Sequence, residues 1–245
     1  MELDKDFFDQ FEYKEIDFEG DKGVVPAKYY DVFSISALFP VSARKLKKYL
    51  PTKKMKLIKP FPGISVIFVK AYEYKLISEL GPYNELGIGY PFIFKDGDIE
   101  FQGTQFIHLP VTTEPARELG VELFGYPKFI ADIEFEKSDH TTTCTLNHNN
   151  KHILSIEVPV LKVKRDDSKT THSFSVKGNK LLRTVVTSQG FSESSSERGK
   201  ATLSLGDHPI SKEIEALLYK NESVGHSYEP KKQLVLPLAE EEYEL

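Results

Sequence analysis

The chain has 245 residues, enough for one large domain or two small ones with a sizeable core. Its formal net charge is -5, with acids and bases interspersed, so it lacks the basic face of a phosphate-backbone binder and shows nothing that favours a membrane surface. One cysteine, Cys144, rules out an intramolecular disulfide. The opening residues, 1–9, carry neither the basic region nor the apolar run of a signal peptide, and no apolar stretch reaches transmembrane length. The expectation is a cytoplasmic, single-domain protein over 1–245, with an N-terminal extension (1–25) and an acidic tail (239–245).

Short runs rich in Val, Ile, Phe, Tyr and Thr, punctuated by Gly, Pro, Asn and Asp, read as strands. The first spans 29–38. Ser42 caps a short helix, 43–50, stopped by Pro51. A long apolar strand follows at 64–74, then a hairpin of 85–94 and 99–109 across the Asp-Gly pair at 96–97. Thr113 starts a helix with Pro115 in its first turn, and Gly125 ends it. Strand returns at 129–135, and a second hairpin joins 141–146 to 153–160. Residues 162–171 read as a polar loop. Strands at 181–187 and 201–205 flank a serine-rich loop, 192–196. A helix at 209–219 and a strand at 233–238 complete the chain. About ten strands joined mostly by short turns predict an antiparallel, barrel-like architecture, mainly β (α+β), with a few peripheral helices.

The most informative stretch runs from Glu114 to Phe135. Pro127 forces Tyr126 out of the helical region, so Lys128 is displayed on a rigid element, expected to open a strand. On that strand Phe129, Ala131, Ile133 and Phe135 share one face, and Lys128, Ile130, Asp132 and Glu134 share the other. Taken bare, a lysine on the more polar face is a solvated lysine.

Gly120, Glu122, Leu123, Tyr126, Pro127 and Lys128, with Glu114-Pro115 upstream, resemble the active-site motif of the acetoacetate decarboxylase family. Tyr83-Asn84-Glu85-Leu86-Gly87 resembles the segment that carries that family's active-site glutamate, and Leu203, Leu205, Asp207, His208, Pro209 and residues 236–239 resemble later family segments. The resemblance implies a closed antiparallel β-barrel wrapped by further sheet and assembled as a homo-oligomer. It implies that Lys128 forms a Schiff base with a small keto-acid substrate, with Glu85 as its catalytic partner and no cofactor. Tyr126 and Glu122 are implied substrate-binding residues.

Three positions depart from the family pattern. Phe129 stands where well-known members have a second lysine. Val121 replaces an arginine. The arginine that would bind the substrate carboxylate is unmatched near the first strand, where Lys28 is the candidate replacement as a point charge. Lys70, fifteen residues before Glu85, is a candidate pocket cation.

The chemistry explains why burial matters to such a lysine. A free lysine amine with a pKa near ~10.4 is neutral in only about one molecule in 2,500 at pH 7, and only the neutral amine attacks a ketone. The iminium it forms is an electron sink from which carbon dioxide departs. Three readings stay open: a decarboxylase of a small β-keto acid, an aldolase or dehydratase acting on pyruvate-like keto acids, and a non-catalytic small-ligand-binding protein. His148 and His152 straddle an expected turn and read as surface residues, and no metal, nucleotide or flavin site is expected.

Overall fold

A computed structural model of the chain describes residues 3–18, 21–78, 80–163, 165–166 and 168–245. A hairpin, β1 (Lys14–Phe18) and β2 (Asp21–Val25), leads into the long β3 (Ala27–Ser42) and the short α1 (Ala43–Leu46). Then come β4 (Met55–Leu57), β5 (Ile64–Ile77), β6 (Tyr83–Asp96) and β7 (Ile99–His108), followed by α2 (Glu114–Glu122). The second half contains β8 (Asp132–Lys137), β9 (Thr141–His148), β10 (Lys151–Pro159), β11 (Arg165–Asp166), β12 (Lys169–Lys177) and β13 (Lys180–Ser195). It ends with β14 (Thr202–Leu205), α3 (Pro209–Leu217), β15 (Gly225–Leu236) and β16 (Glu241–Glu244).

The fold is mainly β. In the largest sheet β13, β12, β7, β6, β5, β3 and β15 are successive neighbours, and β15 pairs again with β13. Every pairing in this ring is antiparallel except β12 with β7. A second sheet, β14-β10-β9-β8, shares one apolar core with the ring's outer side. The alternation along β5 shows how the layers form. Ile67, Val69 and Ala71 join that core, whereas Phe68, Lys70, Tyr72 and Tyr74 line a cavity inside the ring. A strand covered on both faces reads as a near-continuous apolar run, as 64–74 does.

The turns follow local chemistry. Ser42 Oγ accepts the Lys45 amide at 3.4 Å, capping the short helix. Asn149 and Asn150, at φ 52° and 59°, supply the left-handed pair that a two-residue hairpin turn needs between β9 and β10.

Four expectations are corrected. The polar stretch 162–171 is not a loop throughout: β12 begins at Lys169, and Lys169, Thr171 and Ser173 line the ring's cavity. Their polarity masks the alternation because the inner face is not dry (Lys164 and Asp167 lie outside the described residues). The serines at 192–195 belong to β13, which continues to pair with β15 through Ser194↔Ser227 and Ser195↔His226. Here backbone pairing, not burial, extends the strand. The acidic tail is a strand too. Glu240 and Glu241 meet Arg183 at 3.4 and 2.9 Å, and the Tyr243 ring lies 4.6 Å from Phe94. The strand after Lys128 starts only at Asp132. No helix among the described residues is long and apolar enough to cross a membrane.

Candidate active site

Lys128 is placed by a chain reversal. Gly125, at φ 64°, ends α2 in the left-handed region. The Tyr126 amide then donates back to the Gly120 carbonyl at 3.0 Å. The Lys128 amide donates to the Tyr126 carbonyl at 2.8 Å, a three-residue turn centred on Pro127. The chain next runs beside 109–111: Leu109 N donates to Pro127 O at 3.1 Å and Val111 N to Phe129 O at 2.9 Å. Lys128 therefore sits on a turn, not a strand, and its side chain escapes the outer face on which Ile130, Asp132 and Glu134 are exposed. Phe129, Ala131, Ile133 and Phe135 do pack against the main core.

The Lys128 side chain is only 7% exposed, and its Nζ lies 2.8 Å from Glu85 Oε2. Tyr74 donates its hydroxyl to Glu85 Oε1 at 3.1 Å. The Tyr83 ring centroid is 5.5 Å from the ammonium, and the Tyr83 and Tyr29 hydroxyls share a hydrogen bond of 3.3 Å. The lysine stem crosses α2 at Gly120, where an added Cβ would fall 2.3 Å from Cδ and 2.5 Å from Cε. A buried ion pair is poor evidence of stability, because desolvation offsets the attraction. Such a pair in a cleft is instead a pointer to chemistry.

Burial pushes the hydroxyls of Tyr29, Tyr72, Tyr74 and Tyr83 above the usual phenol range, and the Glu85 charge adds to the rise. Burial likewise pushes Tyr126 up to about 12, although its bond to Ser173 opposes the rise. At neutral pH all five are protonated.

Two cavities meet at this lysine. One of 430 Å³ fills the ring, and one of 420 Å³ lies between α2, the β1–β2 hairpin and the ends of β3 and β15. Tyr29, Tyr83, Tyr126 and Lys128 belong to the walls of both.

The other candidates separate. Tyr126 is buried at the site and donates its hydroxyl to Ser173 Oγ at 3.0 Å. Lys70 lines the ring cavity. Lys28 does not: it lies between two cavity residues, Ala27 and Tyr29, so alternation turns it to the other side, with its Nζ 3.6 Å from the Tyr13 ring centroid. Glu122 is exposed and lines neither cavity, because α2 presents Ala116, Leu119, Gly120 and Leu123 inward. Sequence reasoning missed Tyr29, Tyr74 and Ser173. Tyr74 was detectable in principle, since Lys70, Tyr72 and Tyr74 recur with period two.

A second buried ionic group was also missed. Glu229, 3% exposed, has Lys70 Nζ at 2.9 Å and Lys232 Nζ at 3.4 Å from Oε2, and Lys169 Nζ at 3.5 Å from Oε1. Ser34 donates to Oε2 at 2.5 Å. Burial alone would push this carboxyl up; the ammonium groups of Lys70, Lys232 and Lys169 outweigh it and hold Glu229 well below the usual carboxylate range. A carboxyl depressed in the folded state stabilises above its unfolded pKa of ~4.3, and that contribution disappears as pH falls through the folded value. Glu229→Gln is therefore expected to be destabilised by about 3–5 kcal/mol at pH 7, with the gap to wild type closing in acid. Urea denaturation of both proteins from pH 7 downward checks this; a gap that stays constant or widens in acid contradicts it.

Cys144 is fully buried, which pushes its thiol up and keeps it from acting as a nucleophile. His148 is partly buried with Nδ1 3.3 Å from His208 Nε2, and no group of three His, Cys, Asp or Glu among the described residues is placed to hold a metal ion.

A lysine paired with a buried carboxylate, at the junction of two cavities in a mainly antiparallel β fold, is the candidate site of the molecule. The sequence pattern of the acetoacetate decarboxylase (ADC) family matches residues 19–232, and the chain belongs to that family. A solved acetoacetate decarboxylase superposes with a TM-score of 0.68 at 17% identity, covering 89% of each chain. The acetoacetate decarboxylase of Legionella pneumophila gives 0.64 at 16% identity, over 89% of this chain and 88% of that one. The enduracididine biosynthesis enzyme MppR, solved with the condensation product of pyruvate and imidazole 4-carboxaldehyde, gives 0.60 at 12% identity, over 86% and 87%. No curated protein sequence matches the chain.

Proposed function

We propose that this protein is a Schiff-base enzyme that decarboxylates a small β-keto acid through Lys128. The ring of strands serves as the closed barrel of such enzymes. The observation that carries the reading is the Lys128–Glu85 pair, both side chains 7% exposed and 2.8 Å apart at a cavity wall. Glu85 takes a proton from the ammonium, and the neutral amine attacks the substrate ketone. The protonated Glu85 returns that proton to the departing hydroxyl, water leaves, and the iminium forms. The bond to the carboxylate breaks, carbon dioxide departs, and its electron pair becomes the enamine. Solvent supplies a proton to carbon, and water releases the ketone. Tyr74 holds Glu85 in place through its hydroxyl.

A second reading is favoured by size. A cavity of 430 Å³ has room for on the order of a dozen waters at ~30 Å³ each, more than a four-carbon acid fills. The same iminium supports aldol or dehydration chemistry between a pyruvate-like acid and a second carbonyl.

The test is borohydride reduction in the presence of acetoacetate, and separately of pyruvate, followed by mass analysis of intact protein and peptides. An adduct on Lys128 is expected. Carbon dioxide release then marks the decarboxylase, and carbon–carbon bond formation or water loss marks the aldol reading. A folded protein that yields no adduct with either acid shifts the reading towards a non-catalytic small-ligand binder.

A further inference from the structure

The ring cavity has a second chemical pole. Lys70, Lys169 and Lys232 form part of its wall, together with Ser36, Thr171 and Ser188. Glu229, which gathers the three ammonium groups within 3.5 Å, is not part of that wall. The carboxylate stands behind the lysines and orients them, and the cavity meets the cationic side. Between the poles β5 contributes the aromatic rings of Tyr72 and Tyr74, whereas Phe68 and its Cα partner Leu38 line the cavity beyond Lys70.

The strand register gives the separation. Tyr72 is the Cα partner of Glu85, and Lys70 stands two residues further along the same face of β5. That is a displacement of about 7 Å along the strand. The Lys70 ammonium lies 5.1 Å from the Tyr72 ring, which stacks on Tyr74 at 5.4 Å, and Tyr74 holds Glu85. The line of side chains from Lys70 to Lys128 is thus continuous.

We propose that the substrate carries a second anionic group, which the Lys70–Lys169–Lys232 pole binds while its ketone reaches Lys128. This inference rests on Lys128 as the carbonyl-reactive residue and narrows the substrate to a keto acid with an anion at its far end. A spacer of roughly three to five bonds between ketone and distal anion fits the separation. A second anion near Lys70 also answers how a charged substrate is held with no arginine at the first strand. Grouped ammonium ions with neighbouring hydroxyls suit a carboxylate or phosphate.

The test separates the anion pole from the lysine chemistry. Heptanedioate and heptanoate, which have no ketone, are titrated calorimetrically into wild type, Lys70→Met and Lys70→Arg. Wild type is expected to bind heptanedioate at least tenfold tighter than heptanoate. Lys70→Met should lose most of that preference and Lys70→Arg should keep it. Equal affinity for the two acids in wild type, or a preference untouched in correctly folded Lys70→Met, overturns the proposal. In parallel, 3-oxoheptanedioate and 3-oxoheptanoate are trapped on wild type with borohydride. The dianion is expected to half-saturate labelling at a concentration at least tenfold lower; equal concentrations overturn the proposal. If heptanedioate binds selectively but neither keto acid labels Lys128, the Schiff-base reading fails, and the proposal of a substrate joined to Lys128 falls with it while the anion site stands as a binding site.

Discussion

Lys128→Met is expected to abolish turnover, by on the order of 10³-fold or more, and also to cost the fold about 3–5 kcal/mol at neutral pH. The kinetic loss follows from removing the proposed nucleophile. The stability loss follows from Glu85, 5% exposed, left buried without its cation. The two effects separate in the double variant Lys128→Met/Glu85→Gln. A neutral amide still accepts the Tyr74 hydroxyl and needs no counterion, so most of the lost stability should return while turnover stays absent. Glu85→Gln alone keeps the amine but removes its proton acceptor, and should lower turnover by roughly 10²–10⁴-fold. Urea denaturation and initial rates on the substrate that the trapping experiment identifies measure both. Turnover within tenfold of wild type in Lys128→Met would remove the lysine from the mechanism. Equal instability of the single and double variants would show that the buried pair is not coupled.

Gly120→Ala should separate activity from stability in the opposite way. In an unconstrained helix interior alanine is favoured over glycine by about 1 kcal/mol. Here the new Cβ would lie 2.3 Å from Lys128 Cδ, and what yields is a flexible stem, not backbone. The protein is expected to stay folded with its amine displaced. A misplacement of about 1 Å at the reacting atom can cost 10²-fold, so turnover should fall by about that factor with the melting temperature little changed. Reduced borohydride labelling of Lys128 should accompany it. Unchanged turnover would mean that the packing of Lys128 on α2 does not set its reactive position. This contact gives a physical reason for a glycine that the family motif presents only as a letter.

The sequence by itself determined the mainly β character, the hairpins at 96–97 and 149–150, the short helix capped by Ser42, and the run that contains Gly120, Pro127 and Lys128. These depend on local chemistry: period-two apolar runs, residues that tolerate positive φ, a proline that excludes helix. Glu85 was legible only through its neighbours in a family-like motif. The tertiary structure decided which side chains meet. Alternation assigned Lys128 to the polar, outer face, but the turn at Pro127 delays the strand to Asp132 and rotates the lysine inward. Lys28 and Glu122 lie close in sequence to site residues, yet strand alternation and helix periodicity turn both away. Lys169 and Thr171 read as loop, and Ser173 and Glu229 gave no signal at all. Hydropathy reports burial against apolar atoms, whereas these polar side chains line a cavity or pair with one another. Their positions are set by strands distant in sequence, β3, β5, β12 and β15, which pairing alone brings together.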